Sequence, residues 1–521
     1  MTGALVPTLL FISALGIYVH ALFLSISLGF PFVIISLLYK YWRTKDQDYV
    51  GAARTVTSVL GLNFALGAIT GTLVEFGLIQ AWPGTIFAIA TFAFMLMTME
   101  LIAFIGEIVL LIFFIVTLGR VRTMMSIGIM SAYALMAMMS GALITTVNSW
   151  LNVPWGTGGV ASALNPYLPQ YGPNAIELPS LVKLKLQLLS QLATGRSAEA
   201  LQNSTIAHSV GMTLTDPFVA LYSPYAWATI LHAVTAAIIV GMSVALAGYA
   251  YRYFRNNSNS SMKAMRAILP ILLILLVLQP TVFGDFMGKM VAANQPTKFA
   301  LMESAQTTEN NPLMGLLAYS NPQHPIPGFD EFRNACSSLR GQTLANLTSK
   351  VAPSVNPGNL SSVDLEQLCL SNLQTVDPKM SLISSAYSLK IAFGVIALLS
   401  LCIVLVSLFK IRVFSELASR LFGSLGLRNT VVLFSVLELV ACAATAGLGW
   451  FVREVGRTPW TVYGLLYPQE MVSPVPINPA LLAAFATIFT ATGLVGIYGM
   501  YIVSTRPLKF VELLKRGAGV E

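Results

Sequence analysis

Nine apolar stretches, at roughly 9–39, 57–80, 88–118, 123–149, 224–251, 264–287, 385–409, 428–451 and 478–504, are each long enough to cross about 30 Å of hydrocarbon as a helix. In lipid a backbone must satisfy its own polar groups, so such stretches span as helices. The 521 residues are 55% hydrophobic and 10% charged, where soluble domains carry about 25% charged. The chain therefore reads as an all-α integral membrane protein of about nine transmembrane helices. No basic run precedes the first stretch and no small-residue cleavage site follows it. It also carries His20 and the packing segment "SLGFPF", so it is expected to be a retained span.

A net charge of +8 could suggest a nucleic-acid surface, but the placement of the bases argues for topology. With the N-terminus outside, the short loops that face the cytoplasm hold Lys40, Arg43, Lys45 and Arg54, then Arg120 and Arg122, then Arg252, Arg255, Lys263 and Arg266. Further along come Lys410, Arg412, Arg420 and Arg428, and finally Arg506, Lys509, Lys515 and Arg516. That is the positive-inside pattern, and no nucleic-acid partner is expected. The organisation follows: helices one to six over 1–287, a long polar external loop over 288–384, helices seven to nine over 385–505, and a cytoplasmic basic tail over 506–521.

Four cysteines occur and none forms a C-x-x-C pair. Cys402 and Cys442 fall inside spans and read as small core residues. Cys336 and Cys369 share the loop that this topology places outside, where a disulfide could persist, and the pairing is left open. The glycosylation triplets at Asn203, Asn346 and Asn359 fall on the same side.

Ionisable groups at membrane depth are costly and usually face a partner or a functional cavity. His208 and His324 lie in polar segments and read as solvated. His20 in "IYVHALFLSISLG" and His232 in "TILHAVTAAIIVG" lie in the outer parts of spans one and five. Each fits either an interhelical hydrogen bond or a ligand or proton role. Glu75, Glu100, Glu107, Glu438 and Glu454 join them; Glu100 and Glu107 are two helical turns apart on one face, about 10.5 Å along the axis. Such a face suits a proton relay or a cofactor wall, and equally two protonated acids bonded to neighbouring helices. Two classes of function fit. A proton-coupled transporter would use titrating Glu and His, often within an inverted repeat, and no internal repeat is visible. A membrane cytochrome would use His, Met or carboxylate as axial ligands to haem iron.

Five segments, "NFALGAITGTLVEF" (63–76), "NSWLNVPWG" (148–156), "YSPYAWATILHAVTAAIIVG" (222–241), "QPTKFALME" (295–303) and "GWFVREVGRTPW" (449–460), each resemble segments of subunit I of the cytochrome bd quinol oxidases, in the family's order. The resemblance runs through most of the membrane part. It implies a terminal oxidase that couples quinol oxidation outside to four-electron reduction of dioxygen to water, building a proton-motive force without a pump. His20 matches the ligand of a high-spin haem assigned as haem d, and Glu454 matches the ligand of a second high-spin haem, of b type. Trp450 and Arg457 match residues that pack on these haems and pair with their propionates; an Arg fork suits a carboxylate.

His232 matches one ligand of the low-spin haem b. Its family partner is a methionine in span seven, and that position here reads as Ala392, which has no donor atom. Lys390 lies about 200° around the helix from it and matches a family arginine near a propionate. Lys298 and Glu303 match the two polar residues of the quinol site; a carboxylate there can take the proton quinol releases. Glu107 and Glu100 resemble an acid pair on a proton path, spaced one residue further apart in the family, and Glu75 is assigned to packing or the haem environment. The expected partners are quinol, dioxygen and a second membrane subunit, subunit II, often with a small single-helix subunit. The alternatives are an oxidase with haem b in place of haem d, an oxidase not fed by quinol, and a transporter.

Overall fold

The computed structural model describes residues 2–173, 178–194, 216–409, 426–472 and 477–505. His208, the triplet at Asn203, the basic residues Lys410, Arg412 and Arg420, and the tail 506–521 lie outside the described residues. Among those described, the apolar runs form nine long helices that satisfy the length and composition of membrane spans. These are α1 (Thr2–Thr44), α2 (Gln47–Ala81), α3 (Pro83–Thr117), α4 (Thr123–Asn152) and α5 (Pro224–Asn256). They continue as α6 (Asn259–Asn294), α7 (Met380–Phe409), α8 (Gly426–Val455) and α9 (Pro479–Thr505). No strand is present among the described residues, only isolated bridges.

The central helix is α1, which lies against α2, α4, α5 and α9; α7 runs along α8, which in turn packs on α5. Helices in lipid gain from close van der Waals packing at small residues, and α1 and α5 show this at one point. A Cβ on Gly29 would come within 2.6 Å of Gly241 Cα, so the two backbones touch there. His20 on α1 and His232 on α5 each lie nine residues before that crossing, about 13.5 Å at the helical rise. One glycine contact thereby sets both histidines at a shared depth.

Helix α6 is interrupted. Its residues Gln279–Gly284 form a π turn containing Pro280, between Asn259–Leu278 and Asp285–Asn294. Proline has no N–H and clashes with the preceding turn, and a π turn widens the helix locally, often at functional sites. The helix continues to Asn294, so the expected boundary at 287/288 falls inside it, and α7 begins at Met380 rather than 385.

The segment between α6 and α7 is more ordered than its polar composition suggests. It contains Pro296–Glu303, Pro312–Tyr319, Phe329–Cys336, Leu344–Val351 and Leu365–Val376 as short helices. A Cys336–Cys369 disulfide joins the third and fifth of these. Its Phe299, Leu301, Phe329, Leu365 and Leu373 share one buried cluster with Trp150, Trp460 and Met471, so this segment packs on the ends of α4 and α8 and on the chain after α8. Cys442 is buried as expected, and Cys402 is half-buried.

Candidate functional site

His20 is held from α2. Its Nδ1 lies 3.2 Å from Thr70 Oγ1, while the Thr70 hydroxyl is placed to donate to the carbonyl of Leu66 (3.1 Å) or Gly67 (3.0 Å). With its proton spent on the helix, Thr70 offers a lone pair to Nδ1–H. That tautomer leaves the Nε2 lone pair for a metal. Gly71, one residue on, lets the ring lie flat on α2: a Cβ there would be 2.8 Å from His20 Cε1.

His232 is held from the π turn of α6. Gln279 Nε2 lies 3.1 Å from His232 Nδ1 and donates to its main-chain oxygen at 2.9 Å. Gln279 Oε1 is buried without a partner. Gln279 thus ties the ring and the main-chain oxygen of His232 to the π turn through one amide nitrogen. On the same π turn, a Cβ at Gly284 would lie 3.9 Å from His232 Cε1. Ala392 is exposed on α7 and brings no donor. Lys390 of α7 and Arg453 of α8 are the cations acting on His232. Lys390 lies near Gly449, with Nζ 3.8 Å from where a Cβ would stand, and 6.0 Å from the Tyr387 ring.

Glu454, at the end of α8, and Arg457 meet each other. Arg457 Nη2 donates to Glu454 Oε2 at 2.5 Å and a second guanidinium nitrogen donates to the Thr461 carbonyl. Asn148 of α4 donates to Glu454 Oε1 at 3.2 Å. Arg453 stands 3.8 Å from the same oxygen, 5.2 Å over the Trp450 ring, and donates to Ser149 Oγ at 3.3 Å. Lys298 comes in from the short helix Pro296–Glu303 and lies across Gly456, where a Cβ would be 2.9 Å from its Cγ. Lys298 is 1% exposed, and its ammonium donates to Asn152 Oδ1 and Gln295 Oε1, both at 2.8 Å. Gln295 is fixed in turn by the Tyr225 hydroxyl at 2.8 Å and by donating to the Asn152 carbonyl at 2.9 Å. Burial pushes the Lys298 ammonium well below its ordinary pKa.

Two guanidiniums, Arg453 and Arg457, thus face one carboxylate, with the Lys298 ammonium enclosed nearby on Asn152 and Gln295. Burying charge without full pairing is costly, and the Arg453 Nε, 3.8 Å from Glu454 Oε1, is buried without a hydrogen bond. The surplus fits a ligand that brings carboxylates. Iron porphyrin does so through its propionates, and the nitrogen and oxygen donors of His20, His232 and Glu454 are of the kind that ligate haem iron. The residues present therefore fit haem.

The acids of the first helices form a file. Ser140 of α4 donates to Glu100 Oε1 at 2.9 Å, and Glu107, 6% exposed, sits on the same side of α3 within reach of Ser140 and Glu100. Glu75 of α2 acts electrostatically on Glu100, although its own side chain is exposed. Glu438 lies elsewhere, fully buried between α8 and α5, accepting from Ser243 Oγ at 2.7 Å and approached by Cys442 Sγ at 3.3 Å.

Glu303 ends the helix that carries Lys298, five residues on. Its Oε1 is buried without a partner, and burial raises its carboxyl above the usual range. The two residues therefore occupy different surroundings: Lys298 is enclosed beside Glu454, and Glu303 is half-buried toward Tyr387. The sequence reading missed Arg453, Asn148, Asn152 and Gln295. All four lie inside segments that carry the resemblance, and for Arg453 an arginine beside an acid in an apolar helix is the available signal.

Two histidines and a carboxylate at membrane depth beside buried cations are donors of the kind a membrane cytochrome uses. Residues 11–507 match the family "Cytochrome bd terminal oxidase subunit I", and the chain belongs to it. The cytochrome bd-II ubiquinol oxidase subunit 1 of Escherichia coli (strain K12) is 20% identical over 560 residues, covering 94% of this chain and 93% of that protein. A Bacillus subtilis (strain 168) cytochrome bd menaquinol oxidase subunit I is 24% identical over 158 residues, 30% of this chain and 36% of that protein. The solved bd oxidase from Geobacillus thermodenitrificans shares the fold with a TM-score of 0.66 at 18% identity, covering 96% of this chain and 98% of that one. The chain is a multi-pass membrane protein and a quinol:oxygen oxidoreductase subunit of a haem family, which sets the transporter reading aside.

Proposed function

We propose that this subunit takes electrons from a quinol at the outer face and delivers them to dioxygen, which four electrons and four protons convert to two waters. The observation that carries the reading is the cation surplus around Glu454, together with the two histidines held at one depth on α1 and α5. When bound, haem supplies one-electron transfer and an open coordination position for dioxygen. His20 would hold haem d, or haem b in its place, Glu454 a high-spin haem b, and His232 the low-spin haem b, with Ala392 giving no second ligand from α7.

The protein residues supply position and protons. Thr70 and Gly71 orient His20, and Gln279 orients His232. Arg457, Trp450 and Lys390 line the carboxylate-bearing edges of the sites. Glu454 would hold the iron, and Arg457, which donates to its Oε2, would pair with a haem carboxylate. Glu303, its acidity weakened by burial, accepts a proton from quinol, while Lys298 fixes the segment against Glu454. Glu107, Ser140 and Glu100 pass protons inward from the cytoplasmic side, with Glu75 beyond them. Quinol protons leave outside and oxygen's protons come from inside, so charge separates without a pump. The N-terminus lies outside and the C-terminus in the cytoplasm.

A second membrane subunit covers part of the apolar surface, where α3 exposes Ile102, Ile105, Val109 and Ile112 and α9 exposes Leu494, Val495 and Tyr498. A small single-helix subunit would use another such face. The test is Glu303→Gln in the assembled complex. Quinol oxidation should fall well below oxidation of an artificial donor that reduces the haems directly; equal loss with both donors contradicts the assignment.

A further inference from the structure

Three of the short helices after α6 turn polar residues outward: Phe329–Cys336 exposes Glu331 and Arg333, Leu344–Val351 exposes Lys350, and Leu365–Val376 exposes Gln367. Pro312–Tyr319 does the reverse. It carries no charged residue, and Leu313, Leu316 and Leu317, at i, i+3 and i+4 on one face, are 64%, 50% and 50% exposed. Its opposite face is seated. Gly315 and Ala318 are buried, and a Cβ on Gly315 would stand 2.7 Å from the Asn321 carbonyl oxygen. The Asn311 side chain caps the start of the helix by accepting from the Met314 N–H at 3.2 Å, and the Tyr319 ring at its end stacks on His324 with centroids 3.9 Å apart.

The level of this helix in the bundle is defined by its neighbours. It packs on the last part of α6, Asp285–Asn294, which itself packs on α5. At that level α6 carries the Lys289–Asp285 ion pair (2.8 Å), and Tyr222, just before α5, and Trp227, in its first turns, are exposed. Tyr and Trp gather where a bilayer meets water, so the three leucines lie at the border of the apolar spans. Further into α6, Ile274 and Val277 are exposed and continue the apolar surface inward.

We infer that Pro312–Tyr319 is an interfacial anchor helix, whose Leu313, Leu316 and Leu317 enter the lipid of the leaflet at this end of the bundle. A leucine face left in water is unfavourable in proportion to its apolar area, and an interfacial helix removes that area by sinking its apolar side about 5–10 Å into the boundary of headgroups and acyl chains. Tyr319 meets Phe299 edge-on at 5.9 Å, and Phe299 belongs to the helix that carries Lys298 and Glu303. The anchor thereby ties that helix to the membrane surface.

The test places a nitroxide spin label on Leu313→Cys, Leu316→Cys and Leu317→Cys, one at a time, in the purified complex in phosphatidylcholine nanodiscs, with Ser354→Cys as an exposed control and the signal of the unaltered complex subtracted. Collision with dissolved oxygen, which concentrates in lipid, should exceed collision with a water-soluble nickel chelate at the three leucine positions, and the order should reverse at Ser354. Labels at the leucine positions that the chelate reaches as freely as at Ser354 overturn the inference. Labels that neither reagent reaches also overturn it, because a protein partner then covers the face. Where a cysteine variant does not assemble, the unaltered complex is irradiated in nanodiscs holding a diazirine-bearing phosphatidylcholine and its labelled peptides are mapped. Insertion within residues 312–319 is expected, and label on Ile274 and Val277 with none on 312–319 contradicts the anchor.

Discussion

Thr70 Oγ1 sits 3.2 Å from His20 Nδ1 and is free to accept, because its own proton is directed to the Leu66 or Gly67 carbonyl. A single threonine in this way selects the imidazole tautomer that leaves Nε2 open. Orienting partners of this kind typically change metal affinity by about 10- to 100-fold. Thr70→Val should therefore weaken the carbon-monoxide-binding signal of the His20 haem while the His232 haem keeps its spectrum. Gly71→Val should remove that signal outright, since a Cβ would stand 2.8 Å from the ring. Carbon monoxide difference spectra of the purified variants check both.

Gln279 plays the corresponding part for His232 from a π turn. Gln279→Leu removes the contact at 3.1 Å and the bond at 2.9 Å. Loss of low-spin haem on the order of 10-fold or more is expected, with the carbon-monoxide-binding haem retained. Reduced-minus-oxidised spectra report the outcome, and a leucine variant with an unchanged low-spin band would show that His232 needs no such support.

Burial holds the Glu303 carboxyl above its usual range, with no charged partner opposing the shift. The sign follows directly. As pH falls through a raised pKa the carboxylate is protonated and can no longer take the quinol proton, so quinol oxidation should decline at a higher pH than an ordinary glutamate would dictate. Glu303→Gln should abolish that acid limb and leave a low, flat profile. The measurement is initial quinol oxidation against pH for both proteins, and an identical acid limb in the variant would assign it elsewhere.

Glu107, Ser140 and Glu100 make one file on α3 and α4. Positioned proton transfer is typically worth about 10²- to 10⁴-fold, so Glu107→Gln should cut steady-state oxygen consumption by at least about 10-fold with haem content unchanged. Ser140→Ala should cost less, because a water can replace a hydroxyl between two carboxyls. Stopped-flow proton uptake during single-turnover oxidation separates this from slowed electron input: Glu107→Gln should delay uptake and leave haem reduction by quinol untouched.

The spans were legible because a hydrophobic period longer than a bilayer admits one solution, and the ligand candidates were legible because ionisable residues at that depth are rare. What the sequence hid was pairing between distant segments. Nothing local tells Gly29 to meet Gly241, so the shared depth of His20 and His232 emerges only when α1 and α5 cross. Lys298 matches a quinol-site residue by its segment, but nothing local shows that it is enclosed, with its stem across Gly456 and its charge on Asn152 and Gln295. The polar stretch after α6 reads as loop, yet its leucines and phenylalanines are spaced to cover the ends of α4 and α8. Nor does the sequence show that Arg453 on α8 reaches Ser149 on α4.

The central claim is that His20, His232 and Glu454 hold iron porphyrin within the bundle. Pyridine haemochrome analysis of the intact complex, purified from cells supplied with haem precursor, tests it most directly. A b-type haem signal that falls in steps when His232 and Glu454 are each replaced by alanine is the predicted result. A colourless preparation, or a haem content indifferent to these substitutions, would contradict it.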